Sequence, residues 1–214
     1  MVGARTVPAP VPGASYGHGV YVPPHFASRE AELGLEVIER HGFATLVTVG
    51  DDGPYATHLP LALDRANRRL VGHVARANPQ WRHFESGPAL AIFHGPHGYV
   101  SPTWYEPRAG NVPTWNYVAV HVRGAVSLLS PDETLDVLRR LTAQYEPAGG
   151  YTVEATEVST LVRAIVAFAI DLGEVITKLK LSQNRSEADR ASVAEHLAAS
   201  DQVGDRDVAA WMRR

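Results

Sequence analysis

The sequence predicts an α+β domain built on a mostly antiparallel sheet. Three observations carry that prediction: period-two alternation in several short stretches, turn signals between them, and helical patterns gathered at the ends of the strand-rich region. A parallel sheet would need a helical crossover between successive strands, and no such alternation is present. Closing the sheet into a small barrel would remove its exposed edges.

Taken in order, residues 1–19, "MVGARTVPAPVPGASYGHG", are rich in Pro, Gly and Ala and lack a continuous apolar run, so they predict a flexible leader and no export signal. Two prolines make "YVPPHF" an extended segment. Ser28 is the expected cap of a helix to about Arg40, with Ala31, Leu35 and Ile38 at helical spacing. "FATLVTV" and "YATHLPLAL" flank the turn "GDDGP" and predict a hairpin, and "RRLVGHVA" predicts a third strand. A short helix is expected over residues 78–86, then separate strands at "ALAIFHG" and "HGYVSPTWY", then a sixth strand in "VPTWNYVAVHVRG". Pro131 opens a helix to about Tyr145, and "EATEVSTLVRA" suits a further short helix. "AIVAFAIDLGEVITKLKL" is strand-like with a break near Gly173, and "SEAD" reads as a capping box, with Ser186 as N-cap and Asp189 three residues on. Residues 20–200 are thus expected as one domain, and 201–214 as a C-terminal tail.

Composition narrows the function classes. The chain has 214 residues, 45% hydrophobic and 20% charged, as in an ordinary globular protein. A net charge of -3 gives no general attraction to polyanions, so direct nucleic-acid binding is not expected. With no cysteine, disulfides, thiolate metal sites, cysteine nucleophiles and iron–sulfur clusters are excluded. No stretch approaches the roughly 18 apolar residues of a membrane span, and a cytoplasmic location is the expectation. P-loop, dinucleotide-binding, G-x-S-x-G and HExxH motifs are all missing.

Four segments carry chemical potential. In "YATHLPLAL", Tyr55, Thr57, Leu59, Leu61 and Leu63 form a bulky face, while Ala56, His58, Pro60 and Ala62 form a small one. That small face suits either a flat ligand met by His58 or a packed helix. Arg76 and Asn78 stand where a strand runs into a helix start, which suits an anion site or an ordinary cap. "KLKLSQNRSEAD" gathers Lys178, Lys180, Ser182, Gln183, Asn184 and Arg185 before a helix, a donor set suited to phosphate or carboxylate, or to a solvated turn. In "VPTWNYVAVHVRG", alternation puts Trp115, Tyr117, Ala119, His121 and Arg123 on one face and a row of valines on the other.

In order and spacing, "YVPPHF", "GPHGYVSPTWYE", "VPTWNYVAVHVRG" and "KLKLSQNRSEADR" resemble the PaiB family, described as FMN-binding negative transcriptional regulators. The resemblance covers about residues 20–200. It implies a split β-barrel like those of pyridoxamine-phosphate oxidases and flavin reductases, and a homodimer with its cofactor between subunits. FMN is the cofactor so implied. Candidate residues for its phosphate are Arg76, Asn78, Lys180, Ser182, Gln183 and Arg185; for its ring, Trp115, Tyr117, His121 and the face around His58. "GPYATHLP", "GHVARANP" and "GPHGYVSPT" also resemble a haem-dependent branch that makes the N–N bond of piperazate. That likeness implies haem b as the alternative cofactor, with His58 as its metal ligand. A small-molecule ligand is expected in either case, and a regulator without a recognisable DNA-binding motif is the third possibility.

Overall fold

The computed structural model describes residues 20–28, 30–106, 110–153 and 162–214. The expected leader, and most of the helix expected over 154–164, lie outside them. Among the described residues, strands β1 (Phe43–Gly50), β2 (Gly53–Pro60), β3 (Ala62–Asp64), β4 (Arg69–Ala75), β5 (Ala89–Val100), β6 (Thr114–Gly124), β7 (Val126–Leu128), β8 (Ile165–Asp171) and β9 (Glu174–Lys180) form two sheets. Their orders are β2-β1-β5-β6-β9 and β3-β4-β8-β7, and every pairing is antiparallel. The chain passes between sheets at Leu61, Ala125 and Leu172–Gly173, so short corners join the two layers into a split barrel.

The core lies between the layers. Leu46, Phe93, Val118, Val120 and Val122 from the larger sheet meet Leu70, Val74, Phe168 and Ile170 from the smaller one. These are the inward positions of alternating strands, so the valine face of β6 is buried as its period predicts. Helix α2 (Pro131–Tyr145) covers the other side of the smaller sheet, packing Val137 and Leu141 on Ala62, Val71 and Ala169. Ala62 is therefore buried beneath a helix.

Helix α1 (Ala31–Arg40) buries Gly34, Val37 and Ile38, whereas Ala31 is exposed. The buried stripe is displaced from the predicted one because Gly34 lies against Thr177 of β9, where a Cβ would collide with the threonine hydroxyl. Glu30 is the cap position, and Ser28 instead accepts a hydrogen bond from the Glu30 N–H.

Four further expectations are revised. Residues 55–63 break at Leu61, whose N–H is drawn to the Gly42 carbonyl, so β2 and β3 join different sheets. Residues 89–100 form one bulged strand, followed by a short 3-10 turn over Pro102–Trp104. The C-terminal region forms two helices, α3 (Glu187–Ala198) and α4 (Val203–Met212), and α4 inserts Val208, Ala209, Trp211 and Met212 into the core. At Ser186 the cap is present, but the Asp189 carboxylate accepts from the Glu106 N–H; a reciprocal capping box occurs at Ser130 and Glu133.

Candidate functional site

The outer face of the larger sheet is where the chemistry collects. Register sets its rows: His58, Thr45, Ile92, His121 and Ile176 lie side by side across the strands. The next row holds Ala56, Val47, Leu90, Arg123 and Glu174. His58 and His121 thus share a face three strand spacings apart, about 14 Å at a typical spacing of ~4.8 Å. Phe43 and Val49 on this face are 64% and 65% exposed, a large apolar display on a sheet surface.

A groove of about 490 Å³ crosses this face over β5, β6 and β9. Its walls include Ile92, His94, His97, Trp115, Tyr117, Ala119, His121 and Lys178, with Val20 from the segment before α1. A β-bulge places both histidines there. His94 pairs with Ala119 and His97 with Tyr117, so β5 spends three residues where β6 spends two. Strict alternation would put His94 and His97 on opposite faces; the extra residue turns both outward. Gly95 permits the bulge, since a Cβ there would crowd Val118. Trp115 packs between His97, at 6.3 Å between ring centres, and Tyr99, at 6.0 Å.

Lys178 and His121 supply the groove's electrostatics. Lys178 Nζ donates to the Tyr21 carbonyl at 2.7 Å and lies 5.5 Å from the Tyr117 ring centre, a cation–π distance. Burial holds the His121 imidazolium unfavourable, and the nearby His94 and Lys178 push in the same direction, so its pKa is below the ordinary histidine value. A neutral ring with one donor and one acceptor nitrogen is the result. Its Nδ1 is buried without a hydrogen-bond partner, a cost that a bound polar group can relieve.

The other predicted residues are placed elsewhere or occupied. His58 is exposed at the far side of the same face, with Nδ1 3.1 Å from the Thr45 hydroxyl. Arg76 donates to the Arg163 and Ile165 carbonyls, both at 2.8 Å, clamping the start of β8. Asn78 caps the 3-10 turn Pro79–His83, accepting from the Gln80 N–H and donating to Thr57. Lys180 Nζ donates to Thr114 and to the Trp115 carbonyl, and burial lowers its pKa, helped by Lys178 and Arg185. Gln183 closes its own turn through Leu181 and Leu179. Ser182 is buried against Asn116, and Arg185 bonds Asn111 and stacks 4.5 Å from the Tyr105 ring centre. The structure therefore brings Trp115, Tyr117 and His121 together with Lys178, His94 and His97, and leaves the rest outside the groove.

A model of the family described as "Putative FMN-binding domain" matches residues 20–174. The chain belongs to this FMN-binding family, in its PaiB-like group. It is 36% identical to protease synthase and sporulation protein PAI 2 of Bacillus subtilis, over 90% of this chain and 96% of that protein. An uncharacterized protein of Saccharomyces cerevisiae, YKL070W, is 29% identical over 59% of this chain and 90% of its own. Among solved structures, an FAD and heme binding protein from Mycobacterium smegmatis superposes with a TM-score of 0.60 at 21% identity, over 78% of this chain and 79% of the other. The flavocytochrome Anf3 from Azotobacter vinelandii gives 0.61 at 16% identity, over 78% and 75%. At such identities these two likenesses concern the fold, and the PaiB-like fold here is the split barrel they share.

Proposed function

We propose that the protein binds FMN in the groove over β5, β6 and β9 and works as a homodimer whose second copy covers the outer sheet face. The observation that carries this reading is the groove's composition. Flat aromatic walls from Trp115 and Tyr117 stand beside one lysine ammonium and a neutral histidine with an unpartnered buried nitrogen. A flavin mononucleotide presents a flat ring with polar edges and an anionic tail, which matches that donor set, and the groove's size is in the usual range for such ligands. The apolar display at Phe43, Val47, Val49, Leu90 and Ile92 supports a partner of the same kind across this face.

When bound, the flavin supplies hydride or single-electron transfer. The chain's own part is to hold and orient it. Lys178 offsets negative charge, Trp115 and Tyr117 flank the ring, His121 holds or accepts a proton at Nδ1, and Ile92 and Ala119 exclude water. A redox or a regulatory output is compatible with this arrangement. Direct DNA reading is less favoured, since α4 follows α3 closely but sets Asp205 and Asp207 on either side of Arg206 and buries Val208, Ala209, Trp211 and Met212 in the core.

One observation favours haem b as a second reading. His58 is held through Nδ1 by Thr45, and its Nε2 has no partner among the described residues, which is how a ligating imidazole is prepared. An absorption spectrum of protein made in cells supplied with riboflavin and iron separates the two. The FMN reading expects flavin bands that survive His58→Ala. A Soret band that His58→Ala abolishes would replace FMN by haem.

A further inference from the structure

A second cavity, of about 660 Å³, adjoins the groove and shares Gly95, His97 and Trp115 with it. It lies between the bulge of β5 and the start of α4. Its walls are aromatic: Trp104 is stacked on His196 at 4.9 Å between ring centres and 14° between planes, and Tyr99 and Trp115 also line it. Its floor is negative. Asp205 and Asp207 line it, neither forms an ion pair among the described residues, and no lysine or arginine lies among the lining residues. His41, which also lines it, is held below the ordinary histidine value by burial, with Asp207 opposing and Arg40 assisting. That imidazole is therefore a poor counter-charge near neutral pH.

Two features show that Asp205 is built into the wall. Its Oδ2 accepts from the Ser200 hydroxyl at 2.7 Å, and Gly98 leaves room for Oδ1, since a Cβ at residue 98 would meet it. Aromatic faces attract cations through their quadrupole, and carboxylates without a cationic partner reject anions and favour cations. Carboxylates alone would describe any acidic surface. Combined with the stacked aromatic wall and the lining shared with the groove, they describe a binding chamber.

We infer that this cavity holds an organic cation, an amine protonated near neutral pH with an apolar body, beside the flavin groove. The inference rests on the flavin reading above only for its role, as a chamber that shares the His97 and Trp115 lining with the flavin groove. The recognition itself belongs to Trp104, His196, Asp205 and Asp207.

Phenethylamine and 3-phenylpropionate have the same ring and opposite charges. Each is titrated by calorimetry into protein loaded with FMN and into protein stripped of it. The expected result is that the amine binds at least about tenfold more tightly than the carboxylate. In the Asp205→Asn/Asp207→Asn double variant that preference falls by about tenfold with an unchanged melting temperature. Trp104→Leu provides a second route and weakens the amine alone. Equal affinities, no amine binding, or a preference that survives both variants would overturn the inference. Normal FMN binding without amine preference removes this inference and leaves the flavin reading intact. Amine preference in a protein that takes up no FMN does the reverse.

Discussion

Lys178 carries the only fixed positive charge among the described groove residues, and its neighbour two positions on, Lys180, is committed to Thr114 and Trp115. Alternation along β9 would put both on one face, but their roles differ because Lys180, the last strand residue, reaches the first two residues of β6. Replacing Lys178 by Met keeps most of its apolar stem and removes the charge. FMN affinity is expected to fall about tenfold, read by quenching of flavin fluorescence, with secondary structure unchanged. An unchanged dissociation constant would take Lys178 out of the site. The run "KLKLSQNR" announced donors in plenty, and the sequence had no means of showing that Gln183 closes its own turn while Ser182 and Arg185 are taken by the distant Asn116 and Asn111. Local side-chain to backbone bonds compete for such donors, and they depend on geometry that composition does not contain. Trp115, Tyr117 and His121, by contrast, were legible, because strand parity fixes a face.

At the scale of elements, β5 and β6 decide the site and Gly124 decides the barrel. The valine stripe of β6 predicted its burial directly. The β5 bulge is not legible, because Gly95-Pro96 reads as a turn between two strands and so places His97 in a separate element. At Gly124 the larger sheet crosses β8 so closely that a Cβ would collide with the Asp171 carbonyl. Backbone cannot yield as a side-chain tip does, so Gly124→Ala is expected to cost at least about 2–3 kcal/mol, measured by urea unfolding. A loss under about 0.5 kcal/mol would mean that the two sheets separate more easily than this seam implies. Helix α4 was hidden for another reason. "VGDRDVAAWMRR" is short and carries mixed charges, and its apolar side acquires meaning only from the barrel end that Trp211 and Met212 close.

For the whole molecule, burial keeps three histidines, His41, His73 and His121, below the ordinary value of 6.5. The folded state therefore binds fewer protons than the unfolded state as pH falls through that value. By linkage, their contribution to stability is present above about pH 6.5 and is lost progressively below it. The melting temperature is expected to be lower at about pH 5.5 than at about pH 7.5, and the opposite order would show that these rings gain protons on folding. Class, most strands and the core were readable because antiparallel sheets write their two faces into the sequence with a period of two. The outer face was readable only as unusual, since Phe43 and Val49 stay exposed on it and the proposed partner and cofactor lie outside the chain. The central claim, FMN held on that face within a homodimer, is tested most directly by sedimentation of FMN-saturated protein followed at a flavin wavelength. The account predicts flavin absorbance sedimenting with a species of twice the chain mass. Flavin remaining unbound at the meniscus, or travelling with a single chain, would contradict it.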